Sequence, residues 1–100
     1  MLDTKDIILT LKQNKEELYK QFFVQNIGVF GSFARNEQKD NSDIDFLVEF
    51  FPNTTNLFDV KQSLKEYLKS KFQREIDLAN PKYLKPYVKE KILNETIYVK

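Results

Sequence analysis

The chain has 100 residues, of which 41% are hydrophobic and 31% are charged, and its formal net charge is +1. These values are typical of a single globular domain covering residues 1–100, not of a disordered chain. The sequence contains no Cys and no His, which excludes disulfides, thiolate or imidazole metal ligands, and Ser-His-Asp or Cys-His catalysis. Any metal must be bound by oxygen atoms, which favours Mg²⁺, Mn²⁺ or Ca²⁺ and leaves carboxylates as catalytic candidates.

Two further features of the sequence bear on where the protein works. No apolar run approaches the roughly 20 residues that cross a bilayer, and the first six residues carry mixed charge, unlike a signal peptide. We therefore expect a cytoplasmic protein that does not contact membranes. The near-neutral charge also argues against direct binding of nucleic acid.

The first half of the chain predicts a helix, a strand, one helical turn and a second strand. Their approximate ranges are Thr4–Phe23, Asn26–Phe30, Ser32–Glu37 and Asp43–Phe51. The second strand alternates strictly between two faces. One face carries Ile44, Phe46, Val48 and Phe50, and the other carries Asp43, Asp45, Leu47 and Glu49.

The second half predicts another helix, a second acidic strand, a short helix and a closing strand. Asn56 and Asp59 resemble a helix cap before an apolar stripe from Leu57 to Phe72, and Pro86 suits the first turn of the short helix. The strands are expected at Arg74–Ala79 and Thr96–Val99. This order indicates an α+β (mixed α/β) fold, in which helices pack on one face of a small sheet and the acids lie on its open face.

Gly31 and Ser32 follow the first strand directly. A glycine there allows a ligand to approach the backbone closely, and the serine adds a hydroxyl, so the pair is suited to a phosphate group. The glycine-lysine pattern of a P-loop is absent. The same pair also occurs in ordinary turns that end a strand.

Three aspartates are the candidate metal ligands. Asp43 and Asp45 are two residues apart on a strand, so their side chains point the same way and repel unless a cation neutralises them. Asp77 joins them if its strand is a neighbour with the same face open. The alternatives are a solvent-facing strand end for the first two, and a surface acid paired with Arg74 or Lys82 for the third.

These parts combine into a pattern that is rare by chance in a chain of this length. Gly31-Ser32-x-Ala34-Arg35 followed by Ser42-Asp43-x-Asp45-x-x-Val48 resembles the signature of the minimal nucleotidyltransferases, within the DNA polymerase beta-like nucleotidyltransferase superfamily. The resemblance covers most of the chain, including the strand that contains Asp77. One departure is Asn36, where the family usually has Gly; Asn tolerates the left-handed conformation better than most residues.

The resemblance implies roles for the catalytic and metal-binding candidates. Asp43 and Asp45 would bind two Mg²⁺ ions. Asp77 would complete the metal site and help to deprotonate an acceptor hydroxyl. Gly31 and Ser32 would hold the nucleoside triphosphate.

Other residues of the signature are nucleotide-binding candidates. Arg35 either contacts a phosphate or forms a surface salt bridge, and Ser42 precedes the metal-binding pair. Phe33 is the candidate for an exposed aromatic ring near the base, whereas most other aromatic residues are expected to pack in the core.

The implied activity is transfer of a nucleoside monophosphate, typically AMP from ATP, to a hydroxyl. Family members of this size resemble the antitoxin of a two-protein module with a HEPN-type ribonuclease toxin, in which the acceptor is a tyrosine of the toxin. The partner would form a hetero-oligomer with this chain. An alternative is an antitoxin that neutralises a toxin by contact alone. Transfer to a small molecule such as an aminoglycoside would need an acceptor domain, for which this chain has no room.

Overall fold

The computed structural model describes residues 2–99. The segment predicted as one helix, with Lys15 interrupting its apolar stripe, forms two helices, α1 (Thr4–Gln13) and α2 (Lys15–Phe22). The break lies at Asn14, whose side-chain amide donates a 2.8 Å hydrogen bond to the carbonyl of Thr10. A local bond of this kind competes with the helical pattern. Asp3 caps α1 through a reciprocal pair of hydrogen bonds with Asp6.

Four strands form one mixed sheet: β1 (Val24–Phe30), β2 (Ile44–Phe50), β3 (Ile76–Ala79) and β4 (Ile97–Tyr98). Their order across the sheet is β3-β2-β1-β4. β1 pairs antiparallel with β2 and with β4, whereas β2 and β3 are parallel. The four predicted strands, including the closing one, are therefore present.

The remaining helices are α3 (Gly31–Ala34), α4 (Leu57–Phe72), a 3₁₀ turn (Pro81–Tyr83) and α5 (Pro86–Glu95). α5 begins at Pro86, as predicted. Asn56 precedes α4, but its side chain makes no cap bond because its backbone is left-handed, with φ 53°. The expected capping arrangement with Asp59 was therefore wrong. Within residues 2–99, no helix is both long and apolar enough to cross a membrane.

The core lies where α1, α2 and α4 cover one face of β1, β2 and β3. Its buried side chains are Ile7, Leu11, Leu18, Val24, Ile27, Val29, Phe33, Ile44, Phe46, Val48, Leu64, Leu68 and Ile76. Leu47 lies outside this cluster, on the strand face it shares with Asp45, yet it is only 1% exposed. The 3₁₀ turn packs against β2, and α5 packs against β1. The second face is thus partly covered, and its acidic end is the more open part.

Gly28 allows β4 to approach β1 closely. A Cβ atom at this position would lie 2.6 Å from Cγ2 of Thr96 and 2.9 Å from the carbonyl oxygen of Ile97. Both distances are too short for atoms that are not bonded. The pairing of Gly28 with Tyr98 therefore depends on the missing side chain.

Candidate active site

The strand register places two of the three predicted acids side by side. Asp45 on β2 is the direct partner of Asp77 in the parallel ladder with β3, and of Phe30 in the antiparallel ladder with β1. Asp43 lies one residue before β2 and is exposed, Asp45 is half-buried, and Asp77 is exposed. The expectation that the strand of Asp77 lies beside that of Asp45 is confirmed.

The carboxyl group of Asp45 experiences a strongly unfavourable environment for its charge. Burial, followed by the negative charge of Asp77, raises the pKa of Asp45 from 3.8 to about 6. The charge of Asp43 acts in the same direction, and the cation Arg35 opposes them. The site therefore concentrates negative charge where water only partly screens it.

This donor set fits a divalent cation. Carboxylate oxygens are the ligands that Mg²⁺ prefers, and a cation would offset the burial and the repulsion that raise the pKa of Asp45. Within residues 2–99, no three acidic side chains already stand close enough together to hold a metal ion. The exposed side chains of Asp43 and Asp77 would therefore have to turn towards Asp45 to complete such a site.

Gly31 lies against the carboxylate of Asp45. Its backbone is left-handed, with φ 73°, and a Cβ atom there would clash with Oδ2 of Asp45 and lie 3.0 Å from Cγ. Only glycine accommodates both the conformation and the contact. Ser32 follows in the first turn of α3 and is half-buried. The glycine-serine pair therefore borders the acids directly.

Arg35 forms ion pairs in this structure. Its Nε is 2.9 Å from Oε1 of Glu37, and one terminal nitrogen is 2.7 Å from Oε2 of Glu95 on α5. The salt-bridge alternative thus describes its present contacts, while a phosphate contact stays a prediction. Asn36 adopts φ 58°, so the residue that replaces the family's usual Gly takes the left-handed conformation that we expected it to tolerate.

Ser42 and Arg74 shape the loop before the acidic strand. The Ser42 hydroxyl oxygen accepts a 2.8 Å hydrogen bond from the backbone N–H of Lys39. Arg74 donates a 2.9 Å bond to the Ser42 carbonyl, and its guanidinium carbon lies 5.4 Å from the centre of the Phe33 ring. Arg74 therefore links the glycine-serine turn to the loop, a role that sequence reasoning missed when it considered Arg74 only as a partner of Asp77.

Phe33 is 1% exposed, so the expectation of an exposed ring near the base was wrong. The side chain belongs to the core cluster, and its backbone carbonyl accepts a hydrogen bond from the Thr4 hydroxyl of α1. The turn of α3 is short and directs this residue inwards. Its packing fixes the position of Gly31 and Ser32 relative to the sheet.

Paired carboxylates on neighbouring strands, bordered by a glycine-serine turn, are an arrangement suited to phosphoryl chemistry. The family model described as "Nucleotidyltransferase domain" matches residues 8–99. The chain belongs to this nucleotidyltransferase family, and it is a nucleotidyltransferase.

Two relatives align with nearly the whole of this chain. The protein adenylyltransferase MntA of Thermococcus cleftensis is 37% identical over 101 residues, which cover 99% of this chain and 98% of the relative. A protein of Methanocaldococcus jannaschii assigned to the same activity is 39% identical over 100 residues, covering 97% and 95% of the two chains.

Solved structures share the fold. One described as a minimal nucleotidyltransferase matches with a TM-score of 0.74 and 29% identity, covering 96% of this chain and 95% of the other. A toxin–antitoxin solved with AMP-PNP matches with a TM-score of 0.69 and 21% identity, over 89% of this chain and 72% of the other. The second likeness shows the fold alone.

Proposed function

We propose that the chain transfers AMP from ATP to a tyrosine hydroxyl of a HEPN-type ribonuclease toxin and thereby acts as its antitoxin in the cytoplasm. The observation that carries the proposal is the register of Asp45 with Asp77, beside Gly31. The names of the relatives support an adenylyl group and a protein acceptor. A neighbour described as the toxin–antitoxin MntA–HpeT, with a TM-score of 0.65, supports a toxin partner.

Each residue of the site has a distinct task in this reaction. Asp43, Asp45 and Asp77 would hold Mg²⁺, and two ions is the number that the family resemblance implies. Bound metal would supply positive charge for the phosphate oxygens and the acceptor oxygen. Gly31 leaves its backbone open to the triphosphate. The Ser32 hydroxyl donates a hydrogen bond to a phosphate oxygen.

The chemical step exchanges one P–O bond for another. The tyrosine oxygen forms a bond to the α-phosphorus of ATP, the bond from that phosphorus to the oxygen bridging the β-phosphate breaks, and pyrophosphate leaves. Asp77 accepts the proton of the tyrosine hydroxyl. No covalent enzyme intermediate is needed, in keeping with a chain that has neither Cys nor His.

A labelling assay tests the proposal. The purified chain is mixed with Mg²⁺, each α-labelled nucleoside triphosphate in turn, and a purified candidate HEPN-type toxin. We expect label from ATP on a toxin tyrosine, and none with the double variant Asp43→Asn, Asp45→Asn. Glu49→Gln is the matched control, because Glu49 is an acid on the same strand outside the group of three aspartates.

The competing hypothesis is an antitoxin that acts by complex formation alone. It predicts no label with any nucleotide, together with equal binding and neutralisation of the toxin by the wild type and the double variant. That result would overturn the enzymatic proposal.

A further inference from the structure

A groove lies between α4 and β3 beside the candidate active site. Its cavity of about 250 Å³ is lined by Phe58, Lys61, Gln62, Lys65, Asp77 and Leu78. Asp77 therefore borders both the group of aspartates and this α4–β3 groove. β3 is the outermost strand of the described sheet, so the groove opens at the edge of the molecule and not under another element.

The α4 wall of the groove presents an aromatic ring and two cations. Phe58 is 82% exposed, more than any other large hydrophobic residue in the described part of the chain. Lys61 and Lys65 lie one helical turn apart, and neither has an acidic partner within ion-pair distance among residues 2–99. Lys69, one turn further along α4, does have one, at 2.9 Å from Glu75. This wall therefore presents an exposed ring and two lysines that form no ion pair among residues 2–99.

In phosphoryl transfer, the acceptor and the leaving pyrophosphate lie on different sides of the reacting phosphorus. The attacking and leaving oxygens lie roughly in line, on opposite sides of the phosphorus. The strand order places Gly31 and Ser32, at the end of β1, on one side of Asp45, and Asp77 on the other. If the leaving pyrophosphate lies against Gly31 and Ser32, the acceptor hydroxyl must enter beside Asp77, where the α4–β3 groove begins.

We propose that the α4–β3 groove is the docking site for the acceptor protein. The complementary segment carries acidic side chains that face Lys61 and Lys65, and an apolar or aromatic side chain that packs on Phe58. An exposed aromatic residue flanked by cations is suited to a protein surface, since aromatic residues anchor interfaces and opposite charges orient the partner. The inference rests on the proposed transfer to a protein hydroxyl, and it adds the surface that selects the acceptor.

Charge reversal tests the proposal by kinetics. The variant Lys61→Glu, Lys65→Glu is compared with Lys5→Glu, Lys12→Glu, which makes the same change of charge on α1, beside an apolar surface that includes Leu9 and Ile97. With the HEPN-type toxin as acceptor, we expect the first variant to raise the KM for the toxin about tenfold, with the KM for ATP unchanged and kcat changed much less. The α1 variant should retain wild-type values for all three.

Phe58→Ala separates packing from charge and guards against a folding artefact. The side chain is exposed, so its removal should leave the melting temperature unchanged while raising the KM for the toxin. Wild-type KM values in both groove variants would overturn the proposal. So would a raised KM for the toxin in the α1 variant alone, or a raised KM for ATP alone in the groove variant.

A binding experiment distinguishes failure of this inference from failure of the proposed function. Two fluorescent peptides of equal length contain one central tyrosine, flanked by glutamates and leucines in one and by lysines and leucines in the other. Without ATP, the wild type should bind the acidic peptide more tightly, and Lys61→Glu, Lys65→Glu should invert the preference. If the peptide preference inverts but no protein is labelled, the docking groove is supported and the proposed transfer reaction is wrong. If the toxin is labelled but the wild type shows no peptide preference and the groove variant no change in KM for the toxin, the transfer reaction is supported and the docking groove is wrong.

Discussion

The two flanks of Asp45 are built differently. On the β1 flank, Gly31 touches the Asp45 carboxylate, Phe33 is buried, and Arg74 binds the neighbouring loop. On the β3 flank, Asp77 and Phe58 are exposed, and the lysines nearby have no acidic partner within residues 2–99. A rigid flank suits a substrate of constant shape such as a nucleotide. An open flank suits an acceptor that brings its own surface.

Loss of the Asp45 carboxylate, which lies between the two flanks, should have the largest effect on activity. We expect Asp45→Asn to reduce kcat for nucleotidyl transfer by about 10³-fold or more, since a metal-bound carboxylate site supplies several kcal/mol of transition-state stabilisation. The amide has almost the same shape as the carboxyl group, and thermal denaturation should show a folded protein. Activity within tenfold of wild type would mean that Asp45 lies outside the reaction centre.

The rigid flank should tolerate no side chain at Gly31. Gly31→Ala places a Cβ atom on the Asp45 carboxylate and strains a backbone with φ 73°, so we expect about a 100-fold loss of activity, because small displacements at a reaction centre cost about that much. Gly28→Ala is the informative comparison, because its clash is with β4 instead. It should lower the melting temperature while the remaining folded protein keeps more activity than Gly31→Ala. Equal loss of activity per folded molecule in both would show that the contact with Asp45 is unimportant.

The bond from Arg74 to the Ser42 carbonyl should stiffen the β1 flank. Arg74→Ala removes this bond and the contact with the Phe33 ring, and we expect it to lower the free energy of unfolding by about 1–2 kcal/mol. Arg74→Lys should recover only part of the lost stability, because an ammonium group cannot reproduce the planar contacts of the guanidinium. Chemical denaturation measures both. An unchanged free energy of unfolding in Arg74→Ala would show that Arg74 does not stabilise the β1 flank.

Sequence patterns predicted the parts of the site that depend on strand periodicity. The alternation around Asp45 and Asp77 placed them on matching faces of neighbouring strands, and the register confirms this. Asp43 precedes β2, so its position on the same side stays a prediction. The contact of Arg74 with Ser42 joins residues 32 positions apart and has no local pattern. It was therefore out of reach of the sequence.

Short elements were also difficult to predict, because they have too few residues to show a periodic pattern. α3 has four residues, too few for a periodic apolar stripe, so nothing in the sequence showed that Phe33 points into the core. The break at Asn14 coincides with a side-chain bond to the Thr10 carbonyl within an otherwise helical stretch. Long periodic segments such as α4 were predicted with their observed bounds, Leu57 to Phe72.

The pH dependence of stability in the metal-free protein should be the smallest effect, and it tests whether the two flanks interact through Asp45. The pKa of Asp45 is raised from 3.8 to about 6, so the folded state holds this proton more tightly than the unfolded state does. The contribution of Asp45 to stability therefore falls as the pH rises from about 4 through about 6. Solvent screening at a half-exposed group limits the change to about 1 kcal/mol.

Comparison with Asp45→Asn isolates this contribution, because the other carboxyl groups titrate in both proteins. Denaturation curves between pH 4 and pH 7.5 should show the difference in stability between the two proteins shifting in favour of the variant as the pH rises. Adding Mg²⁺ should reverse the trend for the wild type, since the metal binds the deprotonated form and a proton competes with it below about pH 6. Parallel curves without metal would show that neither burial nor the charge of Asp77 raises the pKa of Asp45, and that the flanks are electrostatically independent.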